Sequence, residues 1–317
     1  MSDDLIFAIP SKGRLKEQVE AWLADCGVPL KISGGARGYL ASLKGAPGVQ
    51  VRLLSAGDIA DALSAGEIHL GVTGEDLLRE TGPDLEARVL LLRALGFGRA
   101  DLVVAAPKSW SDVDSMADLE EVAHDYLART GRRMRVATKY LAQTRAFFAR
   151  HGVVDYRITE SGGATEGAPA AGAAELVVDI TTTGATLAAN GLKILSDGVI
   201  LKSEAQLSAS LKASWAATQL KAAEALLRTV EARASALTSA TLVWPQVHNA
   251  AEAAVVASLA KKGATERPSG LLIDAGLASE ASQSLTAQGL GPVTASRPDF
   301  VFEVSCAPFE ALKNRVI

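Results

Sequence analysis

The sequence predicts an α/β protein whose sheets are at least partly parallel, and three observations carry that prediction. Short apolar runs alternate with stretches of helical period from Leu5 to Arg315. Two strand-to-helix joints are rich in Gly and Thr, Thr73-Gly74-Glu75-Asp76 and Thr181 to Thr186. Such joints bind ligands at the C-terminal ends of parallel strands. Finally, 317 residues that are 48% apolar and 21% charged can bury more than one core. Aromatics are 5%, so those cores are aliphatic.

Net charge is −4, which offers no bulk attraction to nucleic acid or anionic lipid. No nucleic-acid or membrane partner is expected, and phosphate binding must rely on local sites. Cys26 and Cys306 are far apart and lack metal-ligand spacing, as do His69, His124, His151 and His248. No metal site made by protein side chains is therefore assigned. The N-terminus shows no basic segment followed by an apolar one, and no apolar run reaches membrane-spanning length. A soluble, cytoplasmic protein is expected.

In chain order, Leu5–Ile9 reads as a strand. Pro10-Ser11-Lys12-Gly13-Arg14 follows, then a helix with Leu15, Val19, Trp22 and Leu23 on one face, ended by Gly27. Lys12 and Arg14 project from a strand-to-helix loop, a place suited to pyrophosphate or triphosphate. Arg37 lies in a glycine-rich turn, Ser33 to Gly38. Strands at Val49–Leu54 and Ile68–Val72 flank a helix from Asp58 to Gly66. Asp76 then either binds a hydroxyl or amino group or caps its own helix. Val89–Leu92 and Asp101–Ala106 are strands around Gly96-Phe97-Gly98; a helix covers Asp118 to Arg129, and Arg135–Ala137 is a strand. In Thr138-Lys139-Tyr140, the lysine either contacts phosphate or is solvated, and the tyrosine either stacks on a base or is buried. Tyr156–Thr159 is a strand, Glu166 starts a helix, and Gly191 to Leu201 forms strands. An Ala-rich helix runs from Ser208 to about Ala236.

The centre of the chain is Glu166 to Leu187. Ala174–Ile180 is strand-like, Asp179 stands at its end, and Thr181, Thr182, Thr183, Gly184, Ala185 and Thr186 lead into the next apolar pattern at Leu187. Helix N-termini leave amides unpaired and carry partial positive charge. Hydroxyls and a glycine make such a turn a phosphate cradle. Asp179 beside it suits sugar hydroxyls, so the stretch reads as a phosphorylated-ribose site.

From Glu166 through Gly172, Val177, Asp179, Thr183, Gly184 and Thr186 to Leu187, the stretch resembles the signature of the ATP phosphoribosyltransferases, which open histidine biosynthesis. Lys12 to Leu15 is similar to that family's K-G-R-L element, residues 71–76 to its G-x-T-G-x-D element, and Ala137 to Tyr140 to its A-T-K-Y element. The resemblance implies two lobes of the periplasmic-binding-protein type II fold, with a cleft and a crossing hinge. It implies phosphoribosyl pyrophosphate and ATP as substrates, and Mg2+ on the pyrophosphate. Glu166, Asp179 and Thr182 to Thr186 would take the phosphoribose. Lys12, Arg14 and Arg37 would take the pyrophosphate or triphosphate as catalytic cations. Thr73, Gly74, Asp76, Lys139 and Tyr140 would line the ATP site. Residues 1–104 and 190–236 would form the first lobe and 105–189 the second.

Two departures remove expected cations. No basic residue stands in Leu54-Ser55-Ala56-Gly57, and Ala100-Asp101 replaces a Cys-Arg pair after the F-G turn. Phosphate binding then falls on Lys12, Arg14, Arg37 and Lys139. Residues 237–317 read as a small C-terminal α/β domain. It has strands at Leu242–Trp244, Leu271–Asp274 and Asp299–Val304, and helices at His248–Lys262, Ser279–Gln288 and Pro308–Arg315. The family carries a histidine-sensing domain of βαββαβ order there or uses a histidyl-tRNA-synthetase-like regulatory subunit; this order is not legible in the tail. A homo-oligomer, a histidine effector or such a subunit are the partners implied. Two rivals stay open: a two-lobed binding module without chemistry, and a base-salvage phosphoribosyltransferase. The second usually has two acids before its turn, where this chain has Val178-Asp179.

Overall fold

The computed structural model describes residues 4–32 and 40–317. The chain runs β1 (Leu5–Pro10), α1 (Gly13–Asp25), β2 (Leu30–Ile32), β3 (Leu40–Leu43), β4 (Val49–Leu54), α2 (Ala56–Ala65), β5 (Leu70–Gly74), α3 (Glu75–Glu80) and β6 (Val89–Ala94). It continues with β7 (Ala100–Pro107), α4 (Met116–Thr130), β8 (Met134–Thr138), α5 (Leu141–Arg150), β9 (Tyr156–Glu160), β10 (Leu176–Thr181), α6 (Ala185–Ala189) and β11 (Leu192–Ser203). Then come β12 (Ala205–Ser210) and α7 (Ala217–Leu237).

These strands form two sheets of the same plan. The first has the order β2-β3-β4-β1-β5-β12-β6, the second β11-β7-β10-β8-β9. In each, the first parallel strand (β1, β8) lies between the next two, β4 and β5 or β9 and β10. In each, the antiparallel strand beside them is the one the chain forms just after crossing from the other lobe, β12 or β7. This is the two-lobed, doubly crossed architecture expected of the type II binding-protein fold. The crossings, residues 95–99 and Glu204, are bonded together: Ala205 N donates to Phe97 O (3.0 Å) and Leu95 N to Ala205 O (2.9 Å).

Strand β1 is buried nearly throughout because helices cover both of its faces. Leu5, Phe7 and Ile9 join one core with Leu23, Val51 and Leu227; Ala8 faces another with Ile59, Leu63 and Leu78. The second lobe closes around Leu102, Val104, Val136, Phe148 and Val178. Local signals set helix ends: Ser115 and Asp118 form a reciprocal capping box on α4, and Gly131 ends it in the left-handed region.

Four expectations are corrected. Residues 192–203 are one long strand of the second sheet, pairing with β7, and the return to the first lobe comes at Glu204. Ser208 lies in β12, so the Ala-rich helix starts at Ala217; β12 is completely buried between β5 and β6, and sheet pairing outweighs local helix propensity there. Glu166 sits in a single 3-10 turn, Thr165–Gly167, because Pro169 and Gly172 prevent a longer helix. Residues 299–304 form no strand. They run along α7, where Val301 N donates to Ala232 O (2.9 Å), and a helix offers no ladder.

The tail has its own core around Leu242, Trp244, Leu259, Leu271 and Leu285. Its elements are β13 (Ser239–Val243), α8 (Ala250–Lys261), β14 (Thr265–Arg267), β15 (Gly270–Asp274), α9 (Ala278–Ala287), β16 (Thr294–Ser296) and α10 (Ala307–Val316). That is the βαββαβ order, followed by one helix, on a sheet of order β14-β15-β13-β16. The order escaped the sequence because β14 and β16 are three exposed residues each, too short for an alternating pattern. Helix α10 leaves this sheet and packs on the first lobe, where Phe309 and Leu312 enter its core.

Candidate active site

The signature stretch builds a cavity of about 340 Å³ at the C-terminal end of β10. It is lined by Glu166, Asp179, Thr181, Thr182, Thr183 and Thr186, with Ala100, Ile180 and Leu187. The turn from β10 to α6 needs Gly184, whose φ is +74°. Threonine hydroxyls hold its shape: Gly184 N donates to Thr181 Oγ1 (2.8 Å) and Ala185 N to Thr183 Oγ1 (3.4 Å). The cradle expected from bare amides is thus partly closed on itself. An anion there would meet hydroxyls first and would replace the long Thr183 contact.

Asp179 is partly buried in this cavity, and one carboxylate oxygen accepts from Ile180 N (2.9 Å). Burial raises its pKa; the Ile180 amide and Lys139 oppose the rise, and Glu166 adds to it. Glu166 follows Ala164, a non-glycine residue at φ +50°, a strained turn of the kind stored at binding sites.

A second cavity, about 550 Å³, lies against the crossing. Arg14, Leu15, Gln18, Gly96, Phe97, Gly98, Arg99 and Thr182 line it. The two cavities meet at Thr182, whose hydroxyl donates to Arg99 O (3.4 Å). The threonine turn of one lobe therefore adjoins two exposed guanidinium groups, Arg14 at the start of α1 and Arg99 on the crossing turn. Arg99 was not among the expected cations. The signal was an arginine directly after Gly96-Phe97-Gly98, two residues before the position inspected for it. With it the cleft regains a positive charge that Ala100-Asp101 had seemed to remove. Lys12 is the N-cap residue of α1, exposed, and lines neither cavity. Arg37 lies outside the described residues.

The residues expected at ATP are placed differently. Thr73 is buried and donates to Ala56 O (2.7 Å). Gly74 is the N-cap residue of α3. Asp76 is buried, with Tyr140 donating to Oδ2 (2.6 Å) and Ser203 to Oδ1 (2.8 Å). Tyr140 is 0% exposed, so its ring cannot stack on a base in this arrangement. The physical reason is pairing: a carboxylate buried at the lobe junction needs donors, and the phenol and the hydroxyl supply them. Lys139 remains exposed.

Among the described residues, no three His, Cys, Asp or Glu side chains converge as a metal-ligand set. No helix of the described residues is long and apolar enough to cross a membrane.

Comparison with known proteins bears on this geometry. The ATP phosphoribosyltransferase family model matches residues 55–232. The ATP phosphoribosyltransferase of Caulobacter vibrioides (strain NA1000 / CB15N) is 66% identical over 320 residues, covering 100% of both chains. That of Rhodopseudomonas palustris (strain BisA53) is 56% identical over 236 residues, covering 74% of this chain and 73% of the relative. Among solved structures, the ATP phosphoribosyl transferase (HisG:HisZ) complex from Thermotoga maritima superposes with a TM-score of 0.55 at 26% identity, covering 72% of this chain and 96% of that one. The signature cavity, the doubly crossed lobes and these relatives agree: the chain belongs to the ATP phosphoribosyltransferase family.

Proposed function

We propose that this protein transfers phosphoribose from phosphoribosyl pyrophosphate to N1 of ATP, giving phosphoribosyl-ATP and pyrophosphate, the first step of histidine biosynthesis. The observation that carries this reading is the signature cavity of Glu166, Asp179 and Thr181 to Thr186 opening beside Arg14 and Arg99. The 5-phosphate fits the threonine turn, and the ribose hydroxyls fit Asp179 and Glu166. The pyrophosphate is then directed to the guanidinium groups, where Arg pairs with phosphate oxygens in a bidentate manner.

The adenine nitrogen is already nucleophilic. Its lone pair forms the new bond to the ribose carbon while the carbon–oxygen bond to pyrophosphate breaks, and the electron pair leaves with pyrophosphate. No covalent enzyme intermediate is required. The chain's work is positioning and stabilisation of the leaving charge. Magnesium, when bound, neutralises the pyrophosphate. It needs only one or two protein carboxylates beside phosphate oxygens, and Glu166, which lines the cavity, fits that need.

Activity in the cytoplasm accords with this chemistry. The βαββαβ tail supports a regulatory role: histidine as effector, a histidyl-tRNA-synthetase-like subunit as partner, or assembly of a homo-oligomer. The purified chain assayed alone, with and without histidine, separates these. Arg14→Ala lowers kcat/KM by well over tenfold if its contact forms with the leaving group, since a charge-assisted bond is worth about 1.5–3 kcal/mol. Unchanged steady-state rates in that variant would remove Arg14 from the mechanism, and no product from the unaltered chain, alone or with such a subunit, would reject the transferase reading.

A further inference from the structure

The cleft leaves one cluster without a role: Asp76, Glu80, Tyr140, Gln143 and Ser203, where the lobes meet. Besides Asp76's bonds from Tyr140 and Ser203, Gln143 Nε2 donates to Asp76 O (2.8 Å). Helix α5 of the second lobe has no side-chain cap of its own. Glu80 of the first lobe supplies one, accepting from Ala142 N (2.7 Å) and Gln143 N (3.2 Å). Three segments are thus pinned together: α3, the start of α5 and the last residue of β11.

A ring held this way presents a fixed face, and the Lys139 ammonium lies over it, 4.9 Å from the centroid. The sheet says where the Lys139 backbone stands. Strands β8 and β10 are parallel neighbours, with Val177 opposite Ala137. Lys139 directly follows Thr138, the last residue of β8, and Asp179 lies two residues beyond Val177 on β10, so both stand at the C-terminal ends of neighbouring strands. Consistently, Lys139 holds down the pKa of Asp179.

We infer that Tyr140 is a positioning residue: clamped between the lobes by Asp76, its ring directs Lys139 to the pentose cavity, so that Lys139 serves the phosphoribosyl donor and not ATP. The inference rests on the donor reading of that cavity. An ammonium at Asp179 offsets a carboxylate that would otherwise repel the phosphates of the incoming donor. It also gives the buried phenol a purpose that base stacking cannot.

The test uses the full chain and four variants: Lys139→Ala, Tyr140→Leu, Tyr140→Phe and the Lys139→Ala/Tyr140→Leu double. Phosphoribosyl pyrophosphate with magnesium is titrated calorimetrically, and KM is measured for each substrate. Lys139→Ala weakens donor binding by about tenfold while the KM for ATP stays within about twofold. Tyr140→Leu does the same, and the double variant is no worse than Lys139→Ala alone, because both remove one contact. Lys139→Ala alters an exposed side chain and carries the test even if Tyr140→Leu does not fold. Tyr140→Phe keeps the ring but loses the Asp76 bond, and stays closer to the unaltered protein in donor affinity than Tyr140→Leu. A rise confined to the KM for ATP, an unchanged donor affinity in Lys139→Ala, or additive losses in the double variant overturns the inference. If the unaltered chain binds no donor, the reading of the cavity fails and takes the inference with it. If it binds donor and only the variants behave otherwise, the inference alone fails.

Discussion

Asp179 and His69 are both titratable groups moved by burial, with opposite charge chemistry. For Asp179, burial favours the neutral acid, so its pKa lies above the usual aspartate value. In the proposed site the ionised form is the one that would accept bonds from ribose hydroxyls. We expect kcat/KM for the donor to fall as pH drops through a point above about 3.9. In Asp179→Asn that acid limb disappears, and the rate is lower at every pH. His69 is 6% exposed. Its Nδ1 accepts from Ile6 N (3.1 Å), so Nε2 carries the proton and donates to Ser214 O (3.1 Å). Burial lowers its pKa, and the Ser214 and Gln219 bonds only partly compensate. The unfolded chain therefore binds a proton more readily than the folded one. The stability that the neutral ring contributes is complete above about pH 6.5 and is lost as pH falls through the lower folded value. The thermal midpoint should decline across that window in the unaltered protein, and the decline should flatten in His69→Gln.

Single elements are held by backbone constraints that a side chain would violate. The β14–β15 hairpin turns at Gly270, whose φ is +151°, and a Cβ there would land on the Leu242 carbonyl of β13. Gly270→Ala must either strain the turn or pull β15 off β13, at a cost of about 1–3 kcal/mol. Urea denaturation followed by tryptophan fluorescence reads this, because Trp244, one of four tryptophans, belongs to that core. The threonine turn shows the same logic in reverse. Gly184 supplies the conformation, and the Thr181 hydroxyl holds it, so the element is shaped before any ligand arrives.

Across the whole molecule, the tail is not an appendage. Leu312 of α10 is 0% exposed within the first lobe's core, and Arg315 donates to Glu86 O (2.7 Å). Arg233 of α7 bonds Asp25 of α1 at 2.7 Å and also Asp299 O (3.0 Å), tying the connecting segment to both helices. Leu312→Ala is expected to destabilise the catalytic part by about 2–5 kcal/mol. A chemical denaturation midpoint unchanged by that substitution would show α10 to be dispensable. Removing everything after residue 237 would expose the same core, so deletion is a poor probe of histidine inhibition. Surface substitutions on the four-stranded sheet are the better one.

Much of this was legible in the chain because it depends on near neighbours. The strand–turn–helix order, the signature from Glu166 to Leu187 and the helix ends are local patterns, and they pointed to the stretch that lines the threonine cavity. The sequence by itself determined which chemistry the protein carries. Only the tertiary structure decided which residues face that chemistry. Asp76 and Tyr140, 64 residues apart, are joined by one hydrogen bond across the lobes and withdrawn from the cleft. Arg99 gains its place from the crossing turn, and α10 finds its partner in the first lobe. Those choices rest on long-range pairing of buried groups, whose energy no stretch of neighbouring residues encodes.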